Sequence, residues 1–249
     1  MIYDTFIFFN ELDLLEIRLN ELDPYVDKFV LVESTKTFTH IDKPLYYLEN
    51  KKRFERFHKK IIHIIVKGFV CGDPWKNEYK QRDAISRGLV KCKPGDVILL
   101  SDVDEIPAPV VFQPLVEDVY NIEMRTYWYF LNLRIHTDYI WMHPKIFKYS
   151  YIKTNISEIR KHQYKHTIAC GGYHFAYMGG PERIAEKLRA FSHTECATDD
   201  LTNVNNIKRR IKSSRAVFNG LAVKDSVENV INLPKYIQDN TIRFKHLIT

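Results

Sequence analysis

Val97-Ile98-Leu99-Leu100-Ser101-Asp102-Val103-Asp104-Glu105-Ile106-Pro107 passes from four apolar residues to three carboxylates across a single serine. An apolar run entered from the breaker Pro94-Gly95 reads as a strand covered on both faces. Open α/β sheets bind their ligands beyond the carboxyl ends of such strands, so the acidic turn is where chemistry is expected. Two carboxylates one residue apart share a side while strand geometry lasts, and two hard oxygen donors suit a divalent cation such as Mg2+ or Mn2+.

Outward from this junction the same alternation of short apolar runs and helical patterns repeats. Thr5 to Phe9 reads as a first strand and Phe29 to Val32 as a second, with Ile61 to Val66 as a third. Leu12, Leu15, Leu19 and Leu22 recur at helical spacing between the first two, with Asn10 and Asp13 available as caps. Lys51 to His58 reads as a basic exposed helix, and Glu78 to Val90 as a helix that closes on Lys91 and Lys93. The pattern is that of β-α-β units around a mostly parallel sheet.

From Asn121 to Ser150 the helical rhythm gives way to aromatic, strand-like segments, which we read as antiparallel additions. Tyr173 to Met178 is a further strand, turned by Gly179-Gly180 into a helix with Pro181 in its first turn and a stripe of Ile184, Leu188 and Phe191. A basic helix carrying Val204, Ile207 and Ile211 precedes an irregular tail. No repeat or linker divides the 249 residues, so the expectation is one domain. Residues 1–107 would form its ligand- and metal-binding half, ending in the acidic turn, and 108–249 its second half with the C-terminal helices.

With 45% apolar and 27% charged residues the composition is that of an ordinary globular protein and excludes a disordered or collagen-like chain. The net charge of +6 suits an anionic partner without choosing one. The basic run Lys208, Arg209, Arg210, Lys212 and Arg215 reads as a solvated helix face, so no nucleic-acid partner is expected. Cys71, Cys92, Cys170 and Cys196 form no C-x-x-C pair and read as reduced structural thiols. No run approaches the ~18 apolar residues of a membrane span. The expected setting is a soluble, cytoplasmic protein of bacterial or viral source.

Several stretches in the same order carry a resemblance: F-I-F-F-N-E-L-D-L-L-E-I-R-L-N-E-L from Phe6, V-E-S-T-K-T-F-T from Val32, K-P-L-Y-Y from Lys43, S-D-V-D-E-I-P from Ser101, G-G-Y-H-F-A-Y-M-G-G-P-E-R-I from Gly171 and F-S-H-T-E from Phe191. Over about residues 3 to 240 the chain resembles the glycosyltransferase family that contains the bisecting β-1,4-N-acetylglucosaminyltransferase of N-glycan synthesis. The resemblance implies a GT-A type, Rossmann-like nucleotide-sugar fold, a divalent cation, usually Mn2+, and a UDP-sugar donor, most simply UDP-N-acetylglucosamine. It further implies transfer with inversion to an oligosaccharide or glycoprotein acceptor. The family's metal-binding D-x-D maps onto Asp102, Val103 and Asp104. The animal members carry an N-terminal membrane anchor and stem, and neither is expected of this chain.

An inverting transfer needs a general base on the acceptor side. Glu182, after Gly179-Gly180-Pro181, is similar to the Gly-Gly-then-acid turn of other inverting GT-A enzymes and is the expected base, with Glu105 and Glu195 in reserve. His193 is the expected third metal ligand, and His174, Gly179, Gly180, Trp128 and Tyr129 are expected around the acceptor. Phe8, Asn10, Glu11, Glu33, Arg82, Asp83, Asp102 and Val103 are the expected donor contacts, with Trp75 a possible sugar platform. Arg82 would pair with the diphosphate or with the acidic cluster, as its planar fork allows. The competing readings are a metal-dependent phosphohydrolase on the same carboxylates and a binding protein without turnover.

Overall fold

The protein is described by a computed structural model covering residues 1–136, 140–217 and 224–249. Its first half follows the expected alternation. Strand β1 (Ile2–Ile7) leads through helix α1 (Leu12–Leu22) to β2 (Lys28–Ser34). The short helix α2 (Tyr46–Glu49) and a 3-10 turn over Lys51–Phe57 lead on to β3 (Ile61–Val66). Helix α3 (Pro74–Asp83) and a 3-10 turn over Ala84–Gly88 then reach β4 (Val97–Asp102). These strands lie parallel in the order β3-β2-β1-β4, with Ile7 of β1 beside both Val32 of β2 and Asp102 of β4.

The acidic turn then doubles back into β5 (Glu105–Pro107), and β6 (Val119–Trp128), β7 (Leu133–His136) and β8 (Lys145–Lys148) extend the sheet. Strand β8 joins β4 antiparallel and β6 antiparallel, so the aromatic segments do complete the sheet as expected. Residues 137–139 of that stretch lie outside the described residues. Helix α4 (Ile156–Lys161) precedes β9 (Thr167–Ala176), which runs parallel to β6 and antiparallel to β5. The chain continues through α5 (Gly180–Ala190), α6 (Asp199–Thr202), α7 (Val204–Lys212), β10 (Lys224–Val227) on the edge beside β7, and α8 (Lys235–Asp239).

Alternation along the strands decides which carboxylate faces which wall. Phe29 and Leu31 of β2 pack with Phe6, Leu15, Leu19 and Tyr47 on the α1 side, whereas Val30 and Val32 pack with Ile98, Leu100, Ile156 and Ile159 on the α3 and α4 side. Asp102 keeps the parity of Ile98 and Leu100 and therefore faces α3 and α4. Ser101 has the opposite parity and meets Arg18 of α1. That guanidinium is fully buried, grips both Asp4 carboxylate oxygens at 2.5 and 2.8 Å, and donates to the carbonyls of Asp102 and Glu105 at 2.8 and 2.7 Å. One arginine of the first helix thus fixes the backbone on both sides of the acidic turn.

Three local expectations need correction. Helix α3 begins four residues earlier than Glu78, because Asp73 accepts a hydrogen bond from the Lys76 amide at 2.9 Å and Pro74 fills the first turn. Helix α1 is capped by neither Asn10 nor Asp13: Glu11 holds the cap position without a side-chain cap bond. Helix α4 was not expected at all, although Ile156 and Ile159 at helical spacing with Arg160 and Lys161 in the last turn are its signals.

Candidate active site

A cavity of about 950 Å³ opens at the carboxyl ends of β1, β2 and β4. Asp102, Val103 and Asp104 form its floor, Glu78 and Arg82 of α3 and Arg160 of α4 one wall, and His174 of β9 and Lys187 of α5 the other. The carboxylates of the acidic turn are matched by cations from three helices. Asp102 meets Arg82 at 2.5 Å with one oxygen and Arg160 at 3.1 Å with the other. Asp104 accepts from the Lys187 ammonium at 2.8 Å, and the same ammonium lies 3.4 Å from Glu11.

Glu105 is fully buried and saturated. Arg160 binds it through two nitrogens at 2.7 and 2.8 Å, the Trp141 indole donates at 2.6 Å, and the Asp102 amide at 2.7 Å. A planar guanidinium against a planar carboxylate is the geometry in which arginine outperforms lysine. Trp141 in turn stacks on His174 with ring centres 3.9 Å apart. Arg82 also binds Glu78 at 3.0 Å, and Glu78 accepts from the Ser192 hydroxyl.

This charge arrangement sets the protonation states. Burial pushes the Asp102 carboxyl up, but Arg160 and Arg82 outweigh it and hold the group well below the usual carboxylate range. Burial draws the Lys187 ammonium down, while Asp104 and Glu11 more than restore it and keep it charged. Burial, helped by Arg160, lowers His143 to about 4, and burial lowers His174, so both rings are neutral at pH 7. The Nδ1 atom of His174 is enclosed without a hydrogen-bond partner.

The expected site residues divide sharply between the cavity and the rest of the fold. Asp102, Val103, Asp104, Arg82, Phe8, Glu11, Trp128, His174 and Trp75 line the cavity. Arg82 takes the second of its two expected partners, the acidic cluster. Glu182 does not reach the cavity: its side chain is 68% exposed, 3.5 Å from Lys208. It stands five residues before Lys187 on α5, about 140° round the helix from the residue that faces Asp104. Glu105 is held too completely to act as a base and is a positioning residue for Arg160 and the turn. Glu195 is exposed and binds the His193 Nδ1 at 2.7 Å.

His193 lines the rim of the cavity, edge-on to Trp75 with ring centres 4.7 Å apart, and is not brought to Asp102 and Asp104 as a ligand. Among the described residues no three His, Cys, Asp or Glu side chains gather as metal ligands. Glu33 is fully buried at the end of β2, where it accepts the Tyr47 and Leu48 amides of α2 at 3.2 and 3.3 Å and meets His63 at 2.8 Å. Asp83 accepts the Ser157 amide at 2.8 Å and so caps α4. Tyr129 is core, its hydroxyl donating to the Arg215 carbonyl at 2.5 Å. None of the three lines the cavity, and each is held by hydrogen bonds to protein backbone.

Asn10 lines a second, smaller pocket of about 170 Å³, together with Gly179. Gly179 and Gly180 have φ of 88° and 87°, the left-handed region that favours glycine, and their turn starts α5. Sequence reasoning missed Arg18, Arg160, Trp141 and Lys187. Lys187 and Arg160 follow their helices' apolar stripes, but no local pattern says that their heads cross to the carboxylates of another element.

The human β-1,4-mannosyl-glycoprotein 4-β-N-acetylglucosaminyltransferase is 33% identical over 109 residues, 40% of this chain and 20% of that protein. The rat protein of the same name matches to the same extent. The aligned part is thus about a fifth of the length of these relatives. The inositol-1-phosphate CTP transferase of T. maritima superposes with a TM-score of 0.38 at 12% identity, covering 71% of this chain and 84% of that one. The nucleoside-diphosphate-sugar pyrophosphorylase of Vibrio cholerae gives 0.33 at 8% identity, covering 72% and 92%. The family model described as glycosyltransferase family 17 matches residues 1–249, and the chain therefore belongs to glycosyltransferase family 17.

Proposed function

We propose that this chain is a GT-A type transferase that moves a sugar, N-acetylglucosamine, from a UDP-sugar to a glycan hydroxyl with inversion at the anomeric carbon. The observation that carries the reading is the convergence of Asp102, Asp104, Arg82, Arg160 and Lys187 on one cavity at the strand ends, in a chain of this family. A diphosphate leaving group needs its developing charge neutralised, and three fixed cations stand there already, each oriented by a carboxylate. Being pre-oriented, they need little reorganisation when that charge appears.

A divalent cation, Mn2+ or Mg2+, fits the donor chemistry. Asp102 is the most open carboxylate of the acidic turn, its side chain 30% exposed, and Asp104 lines the same cavity. Hard cations are often held by one or two carboxylates with phosphate oxygens and water completing the shell, so Asp102 and Asp104 would suffice as protein ligands. When bound, such a cation supplies Lewis-acid stabilisation of the departing diphosphate. Arg82 and Arg160 then bind and orient the phosphates, Lys187 holds Asp104, and Trp141 and Trp128 wall off the sugar from water. Isothermal titration with UDP, with and without Mn2+, followed by transfer from UDP-N-acetylglucosamine to a panel of glycans, tests the reading. Absence of UDP binding and of transfer to every acceptor would overturn it.

A further inference from the structure

The smaller pocket adjoins the large cavity, and among the described residues Glu11 and Lys187 alone line both. The charged groups along its wall are already matched. Arg53 meets Asp13 at 2.5 Å and Glu16 at 2.6 Å, Arg183 meets Glu186 at 3.3 Å, and Lys187 is held by Asp104. What remains unmatched is neutral: the Nδ2 amide nitrogen of Asn10, in a residue only 7% exposed, has no hydrogen-bond partner. Leu12, Phe175, Met178 and Leu247 supply the apolar part of the lining. An unmatched amide donor beside apolar side chains suits a ligand that is uncharged and rich in oxygen acceptors, with C–H faces to pack.

We propose that this pocket is the acceptor subsite, that it takes a neutral sugar residue, and that Glu11 is the general base of the transfer. The proposal rests on the transferase reading above and adds to it the side from which the acceptor enters. Glu11 sits at the junction of the two spaces, where an acceptor hydroxyl seated in the smaller pocket meets the anomeric carbon of a donor in the larger one. Its carboxylate accepts from the Asn10 backbone N–H at 3.1 Å and lies 3.4 Å from the Lys187 ammonium. The acceptor O–H proton passes to a Glu11 oxygen as the acceptor oxygen forms its bond to the anomeric carbon. The bond from that carbon to the diphosphate oxygen breaks, and its electron pair leaves with the nucleoside diphosphate.

Of the other carboxylates that line the cavity, Asp102 is engaged by two guanidiniums, Glu78 by Arg82 and Ser192, and Asp104 by the Lys187 ammonium at 2.8 Å, closer than the 3.4 Å at which that ammonium meets Glu11.

The test uses the full chain with UDP-N-acetylglucosamine, Mn2+ and a panel of methyl hexosides and their oligomers. Glu11→Gln removes the basic oxygen pair while its single amide oxygen can still accept one of the two positioning contacts, and it should lower kcat for transfer by at least ~100-fold with UDP affinity and acceptor KM little changed. Asn10→Ala should raise acceptor KM about tenfold without moving donor KM, the loss expected for one hydrogen bond. Near-wild-type transfer by Glu11→Gln, or a donor KM effect alone in Asn10→Ala, overturns the proposal. A third readout is independent of turnover: the Asn10 side-chain amide resonance should shift when the methyl hexosides are added without donor. If the wild type neither binds UDP nor transfers, the transferase reading falls, and the Asn10 resonance still decides the pocket. No shift at saturating sugar removes the acceptor subsite.

Discussion

The acid–base chemistry of the site turns on which carboxylate is already spoken for, and single substitutions separate the cases. Asp102→Asn keeps an acceptor for one arginine but loses the charge that balances two. We expect transfer to fall at least ~100-fold with the fold intact, as for loss of a group that organises charge in the transition state; circular dichroism with a UDP-release assay checks both. Arg160→Lys is not conservative here, because an ammonium cannot span both oxygens of a fully buried Glu105. Leaving that carboxylate underpaired should cost about 3–5 kcal/mol, read as a shift in the urea midpoint. Glu182→Gln, in contrast, changes an exposed side chain outside the cavity and should leave turnover within about twofold of wild type, the range of ordinary surface changes. A large loss in Glu182→Gln would return the base to α5. The D-x-D was legible because a strand end with two carboxylates is a local pattern. Arg160 was not, because its partners lie 55 and 58 residues away.

At the level of elements, strands and the helices between them were readable wherever period and punctuation agreed. Strand β3 and helix α1 have the expected bounds, since a continuous apolar run in the one and a 3.6-residue pattern in the other are bounded by polar residues. Helix α4 escaped because six residues make too short a window for periodicity, and its stability comes from Ile156 and Ile159 packing under β2 and β4 and from the Asp83 cap. The Gly-Gly turn before α5 was read as a helix start, and the acid that follows, expected as the base, has an exposed side chain outside the cavity. Gly172 of β9 shows how closely elements approach here: an added Cβ would come within 2.5 Å of the Ile106 carbonyl oxygen of β5. Gly172→Ala must therefore move a backbone strand, and we expect a loss of about 1–3 kcal/mol in thermal or urea unfolding, the usual range for overpacking. Because β5 carries Glu105, the same variant should also weaken UDP binding, whereas Gly95→Ala, with open space around it, should do neither.

For the molecule as a whole, +6 net charge and a ring of buried ionic groups make stability depend on pH in one direction. His143, lowered by burial from 6.5 to about 4, binds its proton more readily unfolded than folded, so its contribution is present above about pH 6.5 and is lost as pH falls toward 4. Asp102, held low by its two arginines, adds a further loss once pH enters the carboxylate range. Lys145 works on the other side. Burial, with Arg160 nearby, lowers it to about 7, so from pH 7 to about 10 the unfolded chain again holds the extra proton and stability rises with pH. The expected curve climbs from pH 4 to 6.5, and Lys145 extends the climb above neutrality rather than letting it flatten at pH 7. Urea denaturation at half-unit steps would trace it. His143→Gln should flatten the acid limb by about 1–2 kcal/mol once the ring's partial exposure is allowed for. Lys145→Met should flatten the alkaline limb and raise stability at pH 7, because a side chain of similar length then fills a fully buried position without a charge to desolvate. A wild-type maximum below pH 6 would contradict the burial of both groups, and with it the closed wall that β8 and Trp141 place behind the acidic turn.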